Sequence, residues 1–483
     1  MNSLASIALF SWVPLVLLMF MCMKPRRAVT VAFLLAWLFL PNATFKFIEG
    51  VPLFTKMTAT CLGVLLGATL FDHRRLLAIQ VSWIDIPMIA WCICPLFSSL
   101  SNGLGLYDGI SAALYQTIDW GLAYFIGRVY YSNLDGLLEL AIAVMIGGII
   151  YVPLCLYEMR MSPQLHRMIY GAFQHDFGQT IRYDGWRPMV FMQHGLAVGM
   201  WMAMATLIGF WLWISGIVSK FLRISIQWYV LVLFLTCLYC RSTGAVILLL
   251  GGIVILLAAR FLRTPLILIA VLAIPPVYMT LRSTDMWDGT NLVELTSKYL
   301  GYDRGQSIKF RFDNEDLLAE KALQQPMFGW GRWKRASVFD EDGREITVTD
   351  GLWIIALGNT GIFGLIAISA VHILPGLVLI GKIRAGKWNL PPYASPAVFV
   401  VMLALFMIDN LFNAMINPLF VMAAGGVCGC LLKNRVLQLA TVPAVPVAAP
   451  AIATVVFQSW NSPDNAHHPK SSRFRRALLL RSR

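Results

Sequence analysis

The sequence predicts an all-α polytopic membrane protein with about 12–13 transmembrane helices and one large extracytoplasmic loop. Hydrophobic residues fill 58% of the 483 positions and charged residues only 13%, roughly half the charged share of a soluble domain. Mean hydropathy is +0.69. Apolar stretches near the ~20 residues that cross a bilayer recur along the chain. They cover 4–23, 28–42, 53–71, 83–100, 109–131, 137–157, 188–218, 225–240, 244–262, 264–281, 351–381, 395–409 and 413–432.

Charge then orients these segments. Lys24 to Arg27, His73 to Arg75, Arg128, Lys220 with Arg223, Arg260 with Arg263, Lys382 to Lys387, and Lys433 with Arg435 fall at alternate junctions. A surplus of Lys and Arg in short connections marks the cytoplasmic side. The segments 43–52, 158–187, the turn at Arg241 and 282–350 are therefore expected on the opposite side. The run through Met23 lacks a basic start and a cleavage site, so it reads as a span rather than a signal peptide.

The formal charge of +13 sits mostly in the tail, where 433–483 holds eight Lys/Arg against one Asp. That placement fits a basic cytoplasmic extension, expected to be disordered, and argues against nucleic-acid binding, which needs a basic face on a folded domain. All nine cysteines lie in apolar runs, with no disulfide framework or zinc spacing. The chain thus divides into membrane helices over 1–281, a polar loop over 282–350, further membrane helices over 351–432, and the tail over 433–483.

The loop has its own elements. Asn314 to Gln324 reads as a short helix with Glu315 and Asp316 at its positive end, stopped by Pro326; Arg311 falls one turn ahead of it. Ala336 to Thr349 reads as a hairpin turning at Asp342-Gly343. Asp340-Glu341-Asp342 fits that solvated turn better than a metal site, and no metal or cofactor is expected. Asp409-Asn410, Asn413 and Asn417 interrupt the last spans, where polar groups usually face a cavity.

Three pieces stand in order. Arg241-Ser-Thr-Gly-Ala joins two spans. Arg311 precedes Pro326-Met-Phe-Gly329-Trp330-Gly331 by 15 residues, and Asp350-Gly-Leu-Trp leads to Gly361-Ile-Phe-Gly364. Together with Arg187-Pro and Gln193-His-Gly, this set resembles the O-antigen ligase and O-antigen polymerase superfamily over roughly 180–430. The resemblance implies metal-independent transfer of a glycan from an undecaprenyl-diphosphate carrier to a glycan acceptor, at the periplasmic face of a bacterial inner membrane, beside other polysaccharide-assembly proteins. It implies arginines at the positions of Arg241 and Arg311. Where the ligases carry a histidine, this chain has Asp350.

Such a reaction needs fixed cations at the leaving diphosphate, and arginine binds phosphate oxygens in pairs while staying charged. Arg241 and Arg311 are the expected cations and Asp350 the expected base or acceptor-orienting group, unless it merely caps the following helix. Arg187, Arg304, Lys309 and the stacking surface of Trp330 are the expected substrate contacts. His194 reads as a satisfied core histidine. A transporter or flippase for a charged substrate is the alternative reading.

Overall fold

A computed structural model describes residues 1–432; the basic tail lies outside the described residues. The chain is an all-α polytopic membrane protein, with two short two-stranded ribbons as the only paired strands among the described residues. Eight helices are long and apolar enough to cross a membrane. Three apolar ones, Lys56–Phe71, Ile226–Tyr239 and Pro418–Leu432, are shorter. The two remaining expected intervals hold Pro25–Phe39, which starts on Arg26 and Arg27, and the run Gly105–Tyr130, interrupted by a π-turn at Thr117–Gly121. Every expected interval is helical, but eight meet the criterion where 12–13 were expected. The difference comes from length and from charge at the ends.

Side-chain and backbone contacts define two ends of the bundle. At one end, Asn42 reaches the Phe191 carbonyl (3.4 Å), Tyr107 donates to the Glu49 carbonyl (2.7 Å), and Arg335 pairs with Asp108 (2.8 Å). At the other, Arg26 faces Glu139 (3.6 Å), Arg128 pairs with Asp85 (2.7 Å), and Lys382 donates to the Leu431 carbonyl (2.7 Å). Helices Gly195–Ile214, Pro391–Phe412 and Pro418–Leu432 form the buried centre, and smaller aromatic contacts such as Phe406 on Phe420 (5.2 Å) lock them together.

The polar loop is built differently from its sequence reading. Its principal helix runs Tyr302–Leu323, preceded by Thr290–Leu300. Arg311 lies inside that helix, not ahead of it. The extension follows from packing: Phe312, Leu318, Ala319 and Ala322 join Tyr278, Trp353 and Leu357 in a separate apolar cluster. Beneath it, Glu315 accepts from the Tyr278 hydroxyl (2.7 Å), the Trp353 indole (3.1 Å) and Arg282 Nε (3.3 Å). Arg282 also reaches Asp316 (2.6 Å) and the Phe312 carbonyl (3.0 Å). Glu315 was expected to serve the helix end; it is instead a buried anchor, with its carboxyl pushed up by burial.

The helix Leu352–Lys382 is broken at Gly361, whose φ of 66° is left-handed. The break frees backbone groups that the segment 326–331 takes up. Trp330 and Gly331 N–H donate to the Gly358 and Asn359 carbonyls (2.8 and 3.0 Å), and Ile362 N–H donates to the Pro326 carbonyl (2.8 Å). Unwound backbone at this depth needs such partners. The hairpin exists only loosely, as one bridge between Phe339 and Glu345 around Gly343.

Candidate functional site

The candidate site begins with a ribbon of two-residue strands, Ile181–Arg182 and Gly185–Trp186. Tyr183 and Asp184 both take positive φ, the backbone a tight hairpin requires. This turn exposes the Arg182 and Tyr183 carbonyls, and Arg241 Nη1 donates to both, to Arg182 at 2.9 Å. A Cβ at Gly185 would overlap the Arg241 guanidinium, so a side chain there would displace it. Arg241 itself has φ 53°, a strained position for a non-glycine residue. Its carbonyl in turn accepts from Arg187 Nη2 (3.0 Å). The junction between Ile226–Tyr239 and Thr243–Phe261 is thus tied to the ribbon at both ends of one residue.

The loop helix brings the next two cations. Arg304 and Arg311 are seven residues apart, two turns, and so share a face. Arg304 Nε donates to the Tyr183 hydroxyl (2.8 Å) and its guanidinium lies 4.5 Å over that ring. The Tyr183 hydroxyl also bonds Thr243 Oγ1 (2.8 Å). Arg311 Nε stands 3.4 Å from Asp350 Oδ2. That contact is an ion pair at poor hydrogen-bond angle, since the buried Nε–H finds no acceptor. The Nε–H groups of Arg182 and Arg187 are likewise buried and unpartnered.

Five arginines, 182, 187, 241, 304 and 311, therefore gather at one end of the bundle. Burial first, and then Arg182 and Arg304, bring the buried Arg187 guanidinium down to about 10. Burial lowers Arg182 as well, helped by Arg304 and Arg311. Cations this close repel one another and favour an added anion. Asp350 answers with one carboxylate. Burial raises its carboxyl above the usual range while Arg311 pulls it back.

The helix Leu352–Lys382 starts from Gly351, and the Asp350 side chain makes no cap hydrogen bond there. The helix-cap role considered for Asp350 is not the one it plays; it faces Arg311. Beside it, Leu352 N–H donates to the Asn413 carbonyl (3.1 Å) and Asn413 Nδ2 donates to Asp409 (2.8 Å). Asp409 is a second carboxylate in the field of Arg311.

Two expected contacts stand elsewhere. Lys309, five residues from Arg304 and so on another face of the helix, pairs with Asp313 (3.0 Å) in solvent. Trp330 donates its indole N–H to the Lys321 carbonyl (2.7 Å) and lies under the Lys321 ammonium (3.9 Å). It closes the far end of the loop helix rather than the arginine cluster, because its backbone is committed to the break at Gly361. His194 is the satisfied, buried histidine expected, and it sits near the arginine cluster. Its Nδ1 accepts from Leu196 N–H (3.0 Å), its Nε2 meets Gln179 (3.2 Å), and its ring lies 4.7 Å from His175. Burial, then His175, Arg187 and Arg182, lower it to about 3, so it stays neutral.

Arg182 and Tyr183 escaped the sequence reading, although Asp184-Gly185 is a hairpin-turn signal. No family model and no curated protein matches this chain.

Proposed function

We propose that this chain is an integral inner-membrane glycosyltransferase that polymerises or ligates undecaprenyl-diphosphate-linked oligosaccharide at the periplasmic face. The observation that carries this reading is the gathering of five arginines at a single end of an apolar bundle, with one carboxylate, Asp350, paired to Arg311. A lipid-linked diphosphate is an anion held at that level by its own tail. Arg187, Arg241 and Arg311 would bind the diphosphate oxygens, and Arg182 and Arg304 would complete the field.

In the proposed step an acceptor hydroxyl attacks the anomeric carbon, a new C–O bond forms, and the bond from that carbon to the diphosphate oxygen breaks. The electron pair leaves with the diphosphate, where guanidinium groups stabilise it. The hydroxyl proton passes to Asp350. Asp350 in place of the ligases' histidine favours polymerisation, with a growing chain as acceptor.

The break at Gly361 is a feature transporters also use. Here its freed groups bind residues 326–331, which favours the enzyme. Arg311→Ala separates the two readings. Cells carrying it should lose polymer while unpolymerised lipid-linked units still reach the outer face. Accumulation of those units only on the cytoplasmic face would support transport instead.

A further inference from the structure

The end of the bundle opposite the arginine cluster holds a cavity of about 600 Å³. Arg26, Arg75, Arg128, Tyr130, Ser82 and Asn133 are among its lining residues, and none of the described lining residues is acidic. The counter-ions sit behind the wall. Asp85 takes Arg128 through both oxygens (2.7 and 3.0 Å), which fixes that guanidinium in place. The other two are held loosely, Arg26 at 3.6 Å from Glu139 and Arg75 at 3.6 Å from Asp72.

Donor capacity remains at the cavity. Arg26 Nε–H is buried without an acceptor. Tyr130, 1% exposed, turns its hydroxyl to Asp72, the carboxylate that Arg75 also meets. Arg75 stands 5.4 Å over the Tyr130 ring with its side chain 43% exposed, so it can swing toward a ligand. The volume suits a phosphate with a small organic group rather than a bare ion. Its rim is apolar as well as basic. Leu77, Val81 and Trp83 are exposed beside His73 and Arg74, the mixture found where a chain lies at a membrane surface.

We propose that this cavity binds a phosphate-bearing anion, seated between Arg26 and Arg75. The apolar rim favours a lipid headgroup as the source over a soluble phosphate ester. The site is separate from the arginine cluster and does not depend on the glycosyltransferase reading.

The test uses the full-length protein in detergent with phosphatidylglycerol, phosphatidylcholine or inorganic phosphate added. Thermal unfolding and bound-lipid mass are read together. Phosphatidylglycerol should bind and stabilise, and Arg75→Gln or Arg26→Gln should weaken it about tenfold, the cost of one charge-assisted hydrogen bond. Arg223→Gln, the same charge change on an exposed residue outside the lining and its rim, should leave binding unchanged. If Arg26→Gln does not fold, Arg75→Gln, at an exposed side chain, carries the comparison. Binding of inorganic phosphate with the same variant pattern, and none of the lipid, would support the site with a soluble source. No binding of either, or equal weakening by Arg223→Gln, would overturn the proposal.

Discussion

Asp350 and Arg241 show how single residues are set for charge work at this site. Burial raises the Asp350 carboxyl and Arg311 opposes that rise. As a base it acts only when ionised, so activity should climb with pH through a value above the ordinary ~4 of a carboxylate. Asp350→Asn should lower kcat about 10²- to 10⁴-fold, whereas Asp350→His should keep activity and move the acid limb toward ~6.5. A pH profile of transfer by each variant checks this, and near-normal activity in Asp350→Asn would remove the base role. Arg182 should matter although it touches neither Asp350 nor Arg311 by a direct bond. Its removal takes away a half-buried guanidinium, and Arg182→Ala should cost about 10²-fold in transfer with little change in unfolding temperature. Of these residues, Arg241, Arg311 and Asp350 were singled out by the ordered motifs, with Arg187 and Arg304 as neighbouring contacts, and the structure brings them to one end of the bundle. Arg182 was not, because in a polar loop one arginine looks like another until the hairpin gathers them.

Two elements determine whether those charges meet. The loop helix Tyr302–Leu323 is pinned through Glu315 and Arg282, whose side chains are 5% and 1% exposed. Glu315→Ala leaves Arg282 with Asp316 alone and strips the acceptor from Tyr278 and Trp353, and the loss should be about 1–3 kcal/mol, read as a lower unfolding temperature. The pair Arg282→Met with Glu315→Leu should recover much of it. The broken helix Leu352–Lys382 depends on Gly361, where a Cβ would overlap the Met327 carbonyl. Gly361→Ala should destabilise by about 1–3 kcal/mol and impair transfer by moving segment 326–331. The spacing from Pro326 to Gly364 was visible in the sequence, and its use was not. Trp330, expected as a stacking contact, serves the junction between helix break and loop. Helix length misled for a related reason: the polar face of 302–313 hides a helical turn pattern that tertiary packing of Phe312 and Leu318 stabilises.

At the scale of the whole molecule, hydropathy was enough to give an all-α membrane bundle, because bilayer-spanning backbone must bond within itself. Charge alternation also put the segments near 43–52, 158–187, Arg241 and 282–350 at one end, and contacts among Asn42, Phe191, Arg182, Arg241 and Arg304 hold them there. Helix length was the harder quantity: segments of 14–16 residues carry the same hydropathy signal as longer ones, so eight helices are long and apolar enough to cross a membrane and three more apolar ones are shorter. The site itself is shared by distant parts of the chain, with Arg182 and Arg187 from one loop, Arg241 from a helix junction, and Arg304, Arg311 and Asp350 from another loop. Its central claim is diphosphate-dependent glycan transfer, and purified protein in liposomes with one defined undecaprenyl-diphosphate oligosaccharide tests it most directly. The expected result is longer lipid-linked chains with release of undecaprenyl diphosphate, lost in Arg311→Ala. Intact donor moved across the bilayer without any glycosidic bond formed would contradict it.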